Sequence, residues 1–170
     1  MQLWLDRKFD FGHLGGNYLP ILERLEGTPF RLAHKMEGLH REALVKSTNG
    51  KWSIAEHAGH LLTMESLWMA RMDDMALGRP TLRPWNGTNQ DTQQAQFHLQ
   101  NPASILRDFT TTRLAMVSLL RTWTGKEETM SAFHPRLQVN VRLIDHAWFV
   151  AEHDDHHLAL IQTIVESHLS

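Results

Sequence analysis

The chain contains no cysteine, which removes disulfides, thiolate metal ligands and a cysteine nucleophile together. Any metal site must therefore be built from nitrogen and oxygen donors. Basic residues are in no excess either: 17 Lys plus Arg stand against 19 Asp plus Glu, a formal net charge of -2. No broad cationic face for a phosphate backbone is expected, and nucleic acid is not an expected partner. Nowhere is there an uninterrupted apolar run of the roughly 18 residues that a membrane span needs. The opening "MQLWLDRKFDFGHLGG" interleaves charged and apolar residues and lacks a signal-like apolar stretch. A soluble, cytoplasmic protein with no membrane partner is the expectation.

What is present reads as one domain over residues 1–170, long enough to bury a core. Apolar residues recur at helical spacing in four main places, and no segment of useful length alternates as a half-buried strand should, so the expected class is all-α. A lead-in helix, "NYLPILERLEG", is expected to end near Gly27, with Thr28 as N-cap and Pro29 as the first position of a new helix, "PFRLAHKMEGLHREAL". "STNGK" reads as a break. Ser53 and Glu56 then form an S-x-x-E capping box at the head of "IAEHAGHLLTMESLWMARMDDMAL". The polar connection "GRPTLRPWNGTNQD" is too long for a tight turn. Asn101 and Pro102 cap a further helix, which stops at Gly125. A loop through "FHPRLQ" leads to the last helix, "VRLIDHAWFVAEHDDHHLALIQTIVES". Amphipathic helices of this size fit a four-helix bundle whose long connection carries a crossover.

The chemistry is concentrated in histidine, of which there are 12. In "AEHDDHHLALI" (Ala151 to Ile161), His153 and His157 lie about 40° apart on a helical wheel, on the same apolar face as Val150, Ile161 and Ile164. One turn apart, both rings can reach one ion. The spacing alone is weak evidence, because about one such pair is expected by chance at this histidine content. The competing reading is a pair of core-edge histidines hydrogen-bonded to neighbours. The cost of burying two imidazoles favours the ion, which satisfies one nitrogen of each. A third donor must come from another helix, where "EHAGHLLTMES" offers His60, two turns in, and His57, close enough to the helix start to be frayed and wet.

In these residues the chain resembles the DinB-like, YfiT-related superfamily of bacterial metalloenzymes. The matching pieces are "GTPFRL", "KWSIAEHAGHLLTMESLWMARMDD" and "HPRLQVNVRLIDHAWFVAEHDDHHLALI", in order over most of the chain. The resemblance implies a four-helix bundle holding one divalent metal, usually zinc or nickel, on three histidines. Matched position by position, these are His60, His153 and His157. Many relatives carry Gln or Arg where this chain has Leu160, a departure that leaves the ligands intact.

Three neutral imidazoles leave a metal its full charge and at least one open position, the catalytic pattern. Such an ion can activate water or an external thiolate. The resemblance points to the second use, since some relatives are thiol transferases using mycothiol, bacillithiol or glutathione. With no cysteine in the chain, a low-molecular-weight thiol would have to supply the sulfur. Two functions follow as expectations. One is a metal-dependent S-transferase or hydrolase acting on a small molecule. The other is a non-catalytic, stress-associated metal-binding protein in which a fourth ligand, His156 or His57, closes the ion. A metalloprotease is disfavoured, because Asp154 is one methylene shorter than the Glu of H-E-x-x-H and no flanking strand is expected to hold a peptide.

Other residues read more plainly. Arg71 lies about 16 Å along the helix axis from His60 and is expected in a structural ion pair, too distant to act at the metal. Glu56 is explained by its capping role. Trp85, Asn86 and Asn89 read either as lining the mouth of the site or, the favoured reading, as a solvated loop, and His134 and His146 have no assigned role. A homodimer is plausible from the resemblance and from exposed apolar positions.

Overall fold

The computed structural model describes residues 2–48 and 50–169. Its frame is four long helices: α1 (Tyr18–Met36), α3 (Ile54–Ala76), α5 (Pro102–Thr122) and α6 (Leu143–Leu169). Two one-turn helices, α2 (Arg41–Val45) and α4 (Gln90–Gln94), and a hairpin of β1 (Ser131–His134) and β2 (Val139–Arg142) lie in the connections. Among the described residues no helix is long and apolar enough to cross a membrane.

Two buried clusters stacked along the bundle fix the helix directions. One joins Leu22 of α1, Met72 of α3, Leu120 of α5 and Ala147 of α6. The other joins Leu32 of α1, Ile54 of α3, Ile105 of α5 and Ile161 of α6. Thus α1 and α6 run one way and α3 and α5 the other. Each of α1 and α3 packs against both α5 and α6, which puts α1 and α3 on one diagonal. The long connection after α3 returns along the bundle, with Phe97 beside Gly59 near the start of α3, so α5 begins at the same end as α3. This is the expected crossover.

The expected capping box opens α3. Ser53 Oγ accepts from the Glu56 amide at 3.3 Å, and Glu56 Oε2 accepts from the Ser53 amide at 2.8 Å. Asn101 likewise caps α5 by accepting from Ala103 N at 2.9 Å. The break at "STNGK" is a short turn with a bridge between Thr48 and Lys51; Asn49 within it lies outside the described residues.

Two expectations fail. The chain does not restart a helix at Thr28, since α1 runs unbroken through Gly27, Thr28 and Pro29. Proline at position 29 cannot donate to the Leu25 carbonyl. That carbonyl instead accepts from Arg113 Nη1 at 3.4 Å, so the usual reason to break the helix is removed. Thr28, read as a cap, is buried mid-helix and donates to Asp154 Oδ2 at 2.8 Å.

The loop through "FHPRLQ" is not strand-free either. Antiparallel pairing of Ser131 with Arg142 through His134 with Val139 delays the last helix to Leu143. The hairpin is held onto the long connection by Leu82 N donating to Phe133 O at 3.0 Å and Phe133 N donating to Pro80 O at 2.9 Å.

Candidate metal centre

His60 from α3 and His153 and His157 from α6 meet inside the bundle, each with one ring nitrogen within 4.8 Å of the other two, a set able to hold a metal ion. All three are buried, the most exposed at 6%. His60 Nε2 faces His153 Nε2 at 3.3 Å. Two of the rings have their outer nitrogen engaged. His60 Nδ1 lies 3.0 Å from Thr92 Oγ1, and His157 Nδ1 lies 2.9 Å from His57 Nδ1. In each case Nε2 is left for an ion, and a bound outer nitrogen fixes tautomer and ring orientation.

His57 is therefore not frayed and wet: it is buried behind His157. The capping box makes the start of α3 rigid, so even its first turn can present an ordered side chain. Thr92 was not signalled by the sequence. It comes from α4, in the connection folded over α3.

Burial brings the His60 imidazole down to about 4, with nearby His57 adding to the effect. Burial, then the neighbouring imidazoles, carries His153 and His157 well below the usual histidine range. The rings therefore keep their lone pairs at neutral pH, the state that coordinates a metal. His153 Nδ1 is buried without a hydrogen-bond partner. A buried, neutral, carboxylate-free set of ring nitrogens converging at such distances fits a divalent ion.

Asp154 lies between the two α6 ligands in sequence but on another face. It is fully buried and bonded to Arg113, which also donates to Glu65 Oε1 at 2.6 Å. Burial lifts the Glu65 carboxyl above its usual range even with Arg113 beside it. This Glu65–Arg113–Asp154 cluster ties α3, α5 and α6 together close to the ligands. It also explains why Asp154 cannot play the part of the H-E-x-x-H glutamate: its oxygens are spent on Arg113 and Thr28. The cluster escaped the sequence reading because a single arginine in an amphipathic helix gives no sign of which way it turns.

The histidines stand at one side of a cavity of about 140 Å³ that is partly open to solvent. Trp52 lies over His60 and His157 at ring distances of 4.9 and 6.1 Å. Trp4, from the N-terminal segment, sets its ring 5.1 Å from His153 and 5.6 Å from His156. His156 lines the cavity wall, half-buried, and among the described residues it does not join the three-histidine set.

In the loop at residues 85–89, positions 86–88 are exposed as a solvated loop should be, while its two ends take the other reading. Trp85 and Asn89 line the cavity, and Asn86 lines a shallow depression beside it. The connection must retrace α3 to form the crossover, and so passes over the site. Among the described residues Arg71, expected in an ion pair, meets no carboxylate at ion-pair distance, Asp74 acting on it only from farther away. Arg71 lines the same cavity, donating to the Arg83 carbonyl and to His134 Nε2, each at 3.1 Å. A long side chain leans back along its helix, so Arg71 reaches the cavity without contacting the three histidines. His134 thus has a role, as the acceptor that orients Arg71. His146 is buried against the Trp68 ring.

The model of the DinB superfamily matches residues 24–161 of this chain, a span that includes all three histidines. Among solved structures, YfiT from Bacillus subtilis, described as a probable metal-dependent hydrolase with an unusual four-helix bundle topology, has a TM-score of 0.81 with 18% identity. The likeness covers 95% of this chain and 93% of that one. At that identity it establishes the fold. No curated protein matches the sequence.

Proposed function

This chain belongs to the DinB superfamily, and from that membership and its histidine-lined cavity we propose a metal-dependent enzyme acting on a small molecule. The reaction is transfer to a low-molecular-weight thiol or, as the second form, hydrolysis. One divalent ion, zinc or nickel, sits on His60, His153 and His157. The observation that carries the reading is that ring nitrogens of three buried histidines converge at the wall of an open cavity. Among the described residues no fourth histidine or carboxylate joins them. The hydrolytic form is supported by the description of YfiT as a probable metal-dependent hydrolase.

When bound, the ion supplies Lewis acidity to a thiol or a water. The chain's own residues do the rest. Thr92 and His57 hold the rings of His60 and His157 in place. Trp4 and Trp52 pack against the histidine rings at the cavity wall. The absence of cysteine means that the sulfur of a transfer reaction comes from a free thiol.

The test is turnover of a panel of electrophiles and esters by zinc- or nickel-loaded protein with bacillithiol, mycothiol, glutathione or no thiol, against His157→Ala. The proposal expects saturable, metal-dependent loss of substrate that the variant lacks. Failure to turn over any member, together with a fourth protein ligand on the ion, would leave a structural, non-catalytic metal as the correct account.

A further inference from the structure

The cavity wall carries two guanidinium groups and no carboxylate. Arg71 and Arg136 both line it, as do four histidines, and every other lining residue is uncharged. Elsewhere in the molecule Arg7, Arg24, Arg83, Arg113, Arg121 and Arg142 each meet a carboxylate within 4.0 Å. Among the described residues Arg71 and Arg136 do not. Arg71 is only 2% exposed, and its donors meet neutral acceptors alone, the Arg83 carbonyl and the His134 ring. Its Nη2 has no protein acceptor among the described residues. Arg136, from the hairpin turn, makes contact with the Phe149 ring, 5.8 Å from the guanidinium carbon.

Arg71 is a nearly buried cation that feels Asp74 only from beyond ion-pair distance, that carboxylate being paired with Arg79 and Arg83, and the exposed Arg136 adds a like charge beside the same cavity. Burial, with Arg136 second, brings Arg71 down to about 10. An anion between the two groups removes both costs. Apart from the histidines and Asn89 the rest of the lining is apolar and largely aromatic, with Trp52, Trp68, Trp85 and Phe149 among it, rings that suit a planar apolar ligand. Reach is also satisfied. The Arg71 guanidinium carbon lies 5.6 Å from the Trp68 ring, and that ring lies 5.5 Å from the His153 ring. The guanidinium is therefore no more than about 11 Å from the metal-ligand rings, a span that one small molecule covers.

We infer that the substrate is a flat, apolar small molecule bearing a carboxylate or phosphate, with Arg71 and Arg136 holding that anion while the reactive end meets the histidine site. The inference rests on the reading of this cavity as the substrate site and adds what it selects. Carboxylate and phosphate share the guanidinium chemistry, since each accepts paired hydrogen bonds from the planar fork. Arg71 is pre-oriented by His134, and Arg136 on the hairpin turn completes the grip.

The experiment uses cinnamate, its neutral analogue cinnamamide, and phenyl phosphate as probes, with binding followed by calorimetry on the metal-loaded protein and on His157→Ala. Cinnamate or phenyl phosphate is expected to bind at least tenfold more tightly than cinnamamide, and the tighter of the two names the anion. Arg136→Gln, on an exposed turn where folding is not at stake, should weaken that anion by about tenfold to a hundredfold, the range of a charge-assisted hydrogen bond. Arg71→Gln should do the same, and cinnamamide should be indifferent to both. His157→Ala should keep the preference for the anion, so failure of the metal reading and failure of this one are distinguishable. Equal binding of cinnamate and cinnamamide, or anion binding that vanishes in His157→Ala yet ignores Arg136→Gln, would overturn the inference and place the anion on the metal.

Discussion

At the scale of single residues, the site depends on what stands behind each ligand. His57 holds His157 through a 2.9 Å contact between their Nδ1 atoms, and partners of this kind typically contribute tenfold to a hundredfold to metal affinity. His57→Ala should therefore bind zinc about tenfold to a hundredfold more weakly in a competition titration against a chromophoric chelator, while one equivalent still binds. Complete loss of binding would make His57 a ligand instead, and unchanged affinity would make its contact incidental. The candidate set was legible in the sequence, His153 and His157 from a helical period that puts them on one apolar face and His60 from the family resemblance, and the structure brings the three together. Their partners were not legible. Thr92 lies 32 residues from His60, and nothing in its local pattern says that the connection folds back over α3.

At the scale of elements, local signals were trustworthy where they named a hydrogen bond and misleading where they named a backbone preference. The Ser53–Glu56 box and the Asn101 cap both form as written. Thr28 and Pro29 look like a helix start, yet the helix continues because Arg113, distant in sequence, answers the carbonyl that proline leaves open. The hairpin was missed because four-residue strands carry too little alternation to stand out, and its pairing is set by contact with the connection at Pro80 and Leu82.

Gly59 shows how closely that connection is held. A β-carbon there would overlap the Phe97 ring carbons, Cγ included, and Phe97 is one of the residues that pin the crossover onto α3. Gly59→Ala should lower stability by about 1–3 kcal/mol, the usual cost of overpacking, as read by urea denaturation. A gain in stability, as expected for alanine in a free helix, would show that the connection is not seated on this glycine.

At the scale of the whole molecule, a core that buries neutral imidazoles makes stability depend on pH. Burial brings His146 down to about 3, aided by Arg71 and His134, and brings His134 down to about 4, aided by Arg71 and Arg136. In the unfolded chain both titrate near 6.5. Between those limits the unfolded state binds more protons, so stability is full above about pH 6.5 and falls as the pH drops toward 4. His146 alone would contribute up to about 1.4 kcal/mol per pH unit in that window. Urea midpoints of metal-free protein at pH 7.5 and pH 5 should differ accordingly, and equal midpoints would show that these rings are not held neutral.

The account as a whole rests on three histidines from two helices sharing one ion, and elemental analysis tests that most directly. Protein purified without a histidine tag and dialysed against dilute zinc or nickel should carry one equivalent of metal per chain by inductively coupled plasma mass spectrometry. The same protein with His60, His153 and His157 all replaced by alanine, shown to be folded by circular dichroism, should carry none. A folded triple variant that still holds one tight equivalent would contradict the account and place the metal elsewhere.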